Sequence, residues 1–201
     1  EKLEESVQAY RKAIQIQPDY AEAHFNLGNS LREQEKLEES VLAFQKVIQI
    51  QPNYAESYFN LGNSLREQGK LEESIEAYQQ AITIRPNHPE AYCNLGIVLK
   101  EQGRLKESIE AYQQAIIIQP QFAKAYYNLG IVLKEQGRLK ESIEVYQQAI
   151  HIQPDYAQAH INLGVVLREQ GRLKESIQAH QQAIRIQSDY AEAHIHLAIT
   201  F

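Results

Sequence analysis

Five asparagines share one register of a repeating sequence: Asn26, Asn60, Asn94, Asn128 and Asn162, each 34 residues after the last. A carboxamide offers one acceptor and two donors, so it can pair with both the carbonyl and the N–H of a peptide unit. A row of such groups could hold an extended chain without reading its side chains. Asparagine has no propensity advantage in a helix interior, which favours a ligand role over hydrogen bonds to neighbouring helices. His196 takes the same register near the end of the chain.

Two flanking registers vary. Counting from the alanine after each Pro-x-x, the asparagines stand at position 6. Position 5 reads Phe25, Phe59, Cys93, Tyr127, Ile161 and Ile195, and position 9 reads Asn29, Asn63, Ile97, Ile131, Val165 and Ile199. From the third repeat onward both are largely apolar, and exposed apolar strips mark binding surfaces. Phe59, Tyr127, Ile97 and Ile131 are therefore candidate side-chain contacts. For position 5, packing on the next helix is an equal alternative. Position 12 is always basic (Arg32, Arg66, Lys100, Lys134, Arg168) and position 13 always Glu (Glu33, Glu67, Glu101, Glu135, Glu169). Such alternation reads first as a solvated row of ion pairs, each contributing about 0–1 kcal/mol. Attraction of acidic ligand side chains is the lesser reading.

Catalytic constellations are weak. His160 and His194 lie one repeat apart at a packing position, while His194 and His196, two apart on a helix, face different ways. Cys93 has only His88 nearby, five residues back, a poor geometry for thiol activation. No phosphate loop, zinc pattern or nucleophile elbow is present. Neither metal, cofactor nor catalysis is expected. The net charge of -6 and pI near 5.7 disfavour nucleic acid, which needs a basic stripe. No apolar run approaches the ~20 residues of a membrane span, so no membrane partner is expected. A lone cysteine fits a reducing, cytoplasmic compartment.

The elements that position these residues follow from the period. Pro18, Pro52, Pro86, Pro120 and Pro154 recur every 34 residues, with Ser188 in sixth place. Gly62/Gly69, Gly96/Gly103, Gly130/Gly137 and Gly164/Gly171 keep the same spacing, with Gly28/Glu35 one edit away. A fixed period of this length means stacked units, not one globular core. The units are 21–54, 55–88, 89–122, 123–156 and 157–190, flanked by half units 1–20 and 191–201. In the third unit, Tyr92, Leu95, Gly96 and Leu99 trace one face of a helix over about 89–102. Ile109, Tyr112, Ala115 and Ile116 trace another over about 105–119. Asn87/Glu90, Asp19/Glu22, Asn53/Glu56 and Asp189/Glu192 predict capping boxes at the first helix of their units. Gly103 and its equivalents supply the left-handed turn between helices, and proline ends the second. Gly96 and its equivalents lie inside the first helix, where glycine costs roughly 1 kcal/mol. That predicts close approach of the second helix.

These residues resemble the tetratricopeptide repeat (TPR) family. Tyr92, Leu95, Gly96, Leu99, Ser108, Tyr112, Ala115 and Pro120 carry the likeness in one unit, and it extends over the whole chain. Serine stands where that family often has alanine (Ser40, Ser74, Ser108, Ser142, Ser176), and His24, His160, His194 and His180 replace aromatics. The resemblance implies an all-α solenoid of antiparallel helix pairs, a right-handed superhelix whose first helices line a concave groove. It also implies a non-enzymatic scaffold that binds other proteins or extended peptide segments. The asparagine row resembles the ladder in the repeat domain of O-linked N-acetylglucosamine transferase, which implies backbone binding at Asn26, Asn60, Asn94, Asn128 and Asn162. The alternative is the substrate-recognition arm of a larger enzyme such as a glycosyltransferase, its catalytic domain outside this chain. The terminal half units read as a piece of a longer array. They leave Leu3, Val7, Tyr10, Ile14 and Leu197 short of partners, and their complementarity predicts head-to-tail self-association.

Overall fold

The computed structural model describes residues 2–200; Glu1 and Phe201, the outer residues of the two half units, lie outside the described residues. Among the described residues all regular structure is helical. Two compact units divide at Gln102/Gly103, inside the third repeat. Unit 1 holds α1 (Lys2–Ile16), α2 (Ala21–Glu33), α3 (Leu37–Ile50), α4 (Ala55–Glu67), α5 (Leu71–Ile84) and α6 (Pro89–Glu101). Unit 2 holds α7 (Leu105–Ile118), α8 (Ala123–Glu135), α9 (Leu139–Ile152), α10 (Ala157–Glu169), α11 (Leu173–Ile186) and α12 (Ala191–Thr200). The even-numbered helices are the first of each repeat (A) and the odd-numbered ones the second (B).

Within unit 1 each helix packs on the next, and α2 also touches α4, as α4 touches α6. Unit 2 repeats this, with α8 against α10 and α10 against α12. Successive A helices thus meet, while among the described residues no comparable contact joins successive B helices. Each unit is tightest along its A side, and that is where the asparagine register lies.

One aromatic on each B helix organises the packing. Phe44, Tyr78 and Tyr146 are fully buried. Phe44 packs on Leu61 and Leu65 of the following A helix, and Tyr146 on Leu163, Val166 and Leu167. Burial of such a side chain contributes roughly 2–3 kcal/mol. Each also faces the glycine of its own A helix. A Cβ on Gly62 would lie 2.8 Å from the Tyr78 ring, and one on Gly130 2.5 Å from that of Tyr146. The mid-helix glycines exist because an aromatic ring occupies the Cβ position.

The serines early in the B helices have a use the sequence did not reveal. Ser40, Ser74 and Ser142 donate Oγ–H to the carbonyls of Gly28, Gly62 and Gly130, all at 2.8 Å, and Ser176 to that of Gly164 at 2.7 Å. The serine is clipped to the same residue over which the aromatic ring lies.

The turns follow local chemistry. Gly69, Gly137 and Gly171 have φ of 77°, 72° and 74°, and Glu35 holds the same seat at φ 60°. The N–H of Gly137 reaches Lys134 O at 2.8 Å and that of Arg138 reaches Leu133 O at 2.9 Å, the paired closure of a left-handed helix end. At the other turn the residue before proline is extended, as Pro Cδ requires: Gln51 has φ −132° and ψ 83°. Gln187 adopts φ −137° and ψ 98° before Ser188, so the α11 end forms without proline.

Two expectations are corrected. The N-caps are Tyr20, Tyr54, His88, Phe122 and Tyr156, one residue later than the capping boxes place them, and none makes a side-chain cap bond. The cap seat goes to a ring because that ring packs: Tyr54 lies 5.3 Å from Phe25, His88 4.8 Å from Phe59 and Tyr156 4.9 Å from Tyr127. Nor is Val7 short of partners. It is fully buried against Leu27, Leu31 and Ala43, with Tyr10 and Ile14 packed beside it.

Candidate functional site

All five position-6 asparagines are half-buried on the A side, each immediately before the leucine and glycine that pin its A helix. In unit 1 two of them, Asn60 and Asn94, are linked by Asn63, a position-9 residue only 7% exposed. Its Oδ1 accepts from Asn94 Nδ2 at 2.9 Å and from the Tyr78 hydroxyl at 2.7 Å, while its Nδ2 donates to Asn60 Oδ1 at 3.4 Å. The oxygen of the buried amide thus uses both of its acceptor sites. Asn60 and Asn94 are oriented by it and keep further donor and acceptor capacity for the surface. Burial pushes the Tyr78 phenol up to about 12, so it remains a donor across the physiological range.

In unit 2, Asn162 donates Nδ2–H to the Tyr127 hydroxyl at 3.2 Å. Tyr127 belongs to the preceding A helix, and burial, reinforced by Tyr156, pushes its phenol up to about 12. Asn162 also shares a pocket of about 260 Å³ with Ile131, Lys134, Glu135 and Tyr146. The structure therefore brings Asn60 and Asn94 together in unit 1 and Asn162, Tyr127 and Ile131 together in unit 2.

Position 5 varies in exposure: Cys93 and Ile161 are buried, whereas Ile195 is 58% exposed. The half-buried rings of Phe59 and Tyr127 sit 5.9 and 6.0 Å from Tyr78 and Tyr146 and also pack on the cap rings described above. Ile97 and Ile131 at position 9 are half-buried. Within the charged rows, Lys134 pairs with Glu169 of the next repeat at 3.3 Å. His24 and His160 are buried, their Nε2 atoms 2.8 and 3.0 Å from the carbonyls of Pro18 and Pro154. These are packing histidines holding the preceding turn. Among the described residues no cluster of His, Cys, Asp and Glu could hold a metal.

Asn63, Tyr78 and Tyr146 are the members of this face that sequence reasoning missed. Two belong to B helices, and their hydroxyls reach the A side between two A helices. No periodicity signals that reach.

Tandem helix pairs of this geometry, closed by left-handed turns and packed through a ring-on-glycine contact, define an array of tetratricopeptide repeats, a class whose extended surfaces serve protein interaction. Residues 1–198 match the family described as the cilia and flagella-associated protein 70 C-terminal domain, and the chain belongs to that TPR family. A comparison with curated protein sequences finds no match. Among solved structures, YrrB, described as a TPR protein with an unusual peptide-binding site, aligns with a TM-score of 0.74 at 22% identity over 94% of this chain and 97% of its own. MamA aligns at 0.76 with 26% identity over 83% and 97%. A MamA fragment from Desulfovibrio magneticus RS-1 aligns at 0.77 with 20% identity over 85% and 97%.

Proposed function

We propose that the chain binds extended segments of other proteins along the A side of each unit. Asn26, Asn60, Asn94, Asn128 and Asn162 address the peptide backbone, and Ile97 and Ile131 contact side chains, with the exposed edges of Phe59 and Tyr127. The observation that carries this reading is the orientation of Asn60, Asn94 and Asn162 by Asn63 and Tyr127. Side chains already fixed in one geometry lose less freedom when they bind. The description of YrrB as a peptide-binding TPR protein supports the same class of ligand. Backbone recognition predicts that replacing Asn60, Asn94 and Asn128 together by alanine weakens every ligand to a similar degree. Pull-down from native lysate with wild type and triple variant, read by mass spectrometry, tests it; an unchanged ligand profile overturns the ladder role.

A second reading rests on the likeness of the row to that of O-linked N-acetylglucosamine transferase. The same face would then present substrates to a catalytic domain on the parent chain, and the sequence flanking these repeats in the parent decides between the two.

A further inference from the structure

The outer side of unit 2 carries a hollow away from the asparagine register. Among the described residues α9 and α11 share no packing contact like that between A helices, and a cavity of about 300 Å³ opens between them over α10. Its floor is apolar, made by Leu163 and Leu167 of α10, Ile150 of α9 and Ala179 of α11. Three carboxamides, Gln147, Gln178 and Gln182, stand on its walls. Gln147 and Gln178 are exposed and Gln182 half-buried, so a group entering from solvent reaches them. The volume lies at the small end of ligand sites, roughly 300–1,000 Å³, and suits a single side chain.

The repeat shows where the space comes from. His160, at position 4, also lines the cavity. That register holds a half-buried tyrosine in three repeats, as Tyr58, Tyr92 and Tyr126, and histidine in the repeats of α2 and α10. His24 and His160 are buried and turn Nε2 to the carbonyls of Pro18 and Pro154 at 2.8 and 3.0 Å. The smaller ring is thus committed to the preceding turn. A cavity of about 260 Å³ lies at the same place beside His24, against Leu27, Leu31 and Ala43. The two cavities share the register at which histidine replaces tyrosine, and charge distinguishes them. In unit 1, Arg11 of α1 and Glu39 of α3 join across the channel at 2.6 Å, and Lys46 stands on the wall. Their counterparts in unit 2 are Gln147, Glu175 and Gln182. Glu175 is held at 2.6 Å by Arg172, the cap residue of its own helix, so α9 and α11 are not strapped there and the carboxylate is already compensated.

We infer that the groove over α10 is a docking site for a tyrosine side chain carried by a partner protein. The ring lies on Leu163, Leu167 and Ala179, in the register that the chain's own tyrosines fill elsewhere. The phenol pairs with the wall carboxamides. A charged side chain finds no countercharge there. A phenylalanine would cover the amides without pairing them, which costs free energy. Tyrosine, an apolar body with a polar tip, is a common interface anchor. Position 4 lies roughly 200° round α10 from Asn162, so this site is separate from the A-side row and does not rest on its role.

The whole chain, isotopically labelled, is titrated with p-cresol, toluene and 4-methylbenzoate and followed by NMR. Saturable shifts are expected at the Leu163, Leu167 and Ile150 methyls with p-cresol, weaker ones with toluene and none with 4-methylbenzoate. His160→Tyr restores the residue of the sibling repeats and should abolish the response by filling the groove. Gln147→Arg, an exposed change that copies Arg11, should weaken it and serves alone if His160→Tyr does not fold. No response to p-cresol, an equal or stronger one to either analogue, or one unchanged in a folded variant overturns the proposal. A random peptide library is then panned on wild type and counter-selected on Gln147→Arg. The survivors should carry tyrosine at one fixed position. Another residue fixed there, no survivors, or a light-scattering dimer of wild type that Gln147→Arg dissociates, which would make a second copy the occupant, overturns it. The triple asparagine variant should keep the full p-cresol response, so failure of the backbone row and failure of this site are read separately.

Discussion

Unit 1 and unit 2 are built on one repeat and differ in what fills its variable positions. Residues 1–102 carry sixteen acidic and ten basic side chains, whereas residues 103–201 carry ten of each, so the net charge of -6 belongs to unit 1. Unit 1 begins its B helices with Glu-Glu (Glu4/Glu5, Glu38/Glu39, Glu72/Glu73), unit 2 with Lys-Glu. In unit 2, Arg138 and Arg172 grip Glu141 and Glu175 through two hydrogen bonds each, at 2.8 and 2.6 Å, holding those carboxyls below the usual range. At position 9 unit 1 has asparagine in its first two repeats and unit 2 has aliphatic residues. The polar interior of unit 1 is closed by its own amide, and that of unit 2 is not. The same backbone can therefore carry an amide-linked interior or an apolar one, and a single register decides which.

The largest effect expected on this comparison comes from filling the glycine seats. Gly62→Val and Gly130→Val each force a branched side chain into a fully buried ring, and overpacking of this kind costs about 3 kcal/mol. Gly130→Val should be the more damaging, because the ring of Tyr146 stands 0.3 Å closer to the added Cβ than that of Tyr78 (2.5 against 2.8 Å). Denaturant unfolding of the two variants measures the difference. The opposite order would show that the Tyr146 ring yields into the neighbouring pocket while Tyr78 is held by Asn63.

The next effect concerns His180, which stands where unit 1 has Phe44 and Tyr78. It is fully buried, with its ring stacked 5.5 Å from that of His196. Burial first, then the charges of His196 and Arg168, pull its pKa from 6.5 down to about 4. In the unfolded chain the imidazole takes up a proton near pH 6.5, while in the fold it does so only near 4. Its contribution is complete above pH 6.5 and is lost as the pH falls toward 4, on the order of 2–3 kcal/mol in all. His180→Phe removes a titrating group and copies the Phe44-on-Gly28 contact of unit 1. The Tm difference between wild type and variant should be constant above pH 6.5 and should shift in favour of the variant between pH 6.5 and 4. A flat difference would mean that the His180 ring is solvated in the fold and that this repeat is not a polar interior at all.

Much of this architecture could be read from the chain itself. Proline and glycine spacing places the helix ends, because those residues act on their own backbone. Gly62 and Gly130 announce a close contact, because glycine inside a helix is costly without one. What escapes is pairing across space. Asn63 and Tyr78 are fifteen residues apart and on different helices, and Asn63 and Asn94 are thirty-one apart. The change from Asn63 to Ile131 is plain in the sequence and reads as an apolar strip. Its consequence for Tyr146 depends on that hydroxyl passing between two A helices. The capping boxes fail for a related reason: Asp19 and Asn53 have the right chemistry, but the rings of Tyr20 and Tyr54 occupy the cap seat. The division into two units at Gln102 has no marker in the repeat, where Gly103 is like every other turn glycine.

The smallest effect lies at the turn between A and B helices, where the two units should be alike and are not. Gly137 and Gly171 of unit 2 hold φ of 72° and 74°, and in unit 1 Glu35 is forced to 60° while Gly69 is not. An L-residue pays roughly 1–2 kcal/mol to sit in the left-handed region. Glycine avoids that strain but gives back part of the gain through its freer unfolded chain, about 0.4–1 kcal/mol. The bonds around Glu35 already match those around glycine: its N–H reaches Arg32 O at 2.8 Å and that of Lys36 reaches Leu31 O at 2.9 Å. Among the described residues the Glu35 side chain has no hydrogen-bond or ion-pair partner, and it is exposed. Glu35→Gly should therefore stabilise the chain by about 0.5–1 kcal/mol, seen as a rise of a few degrees in Tm. The reciprocal Gly137→Glu should lose about as much. If Glu35→Gly were neutral while Gly137→Glu remained costly, the first turn would differ from the others in a way that its hydrogen bonds do not show.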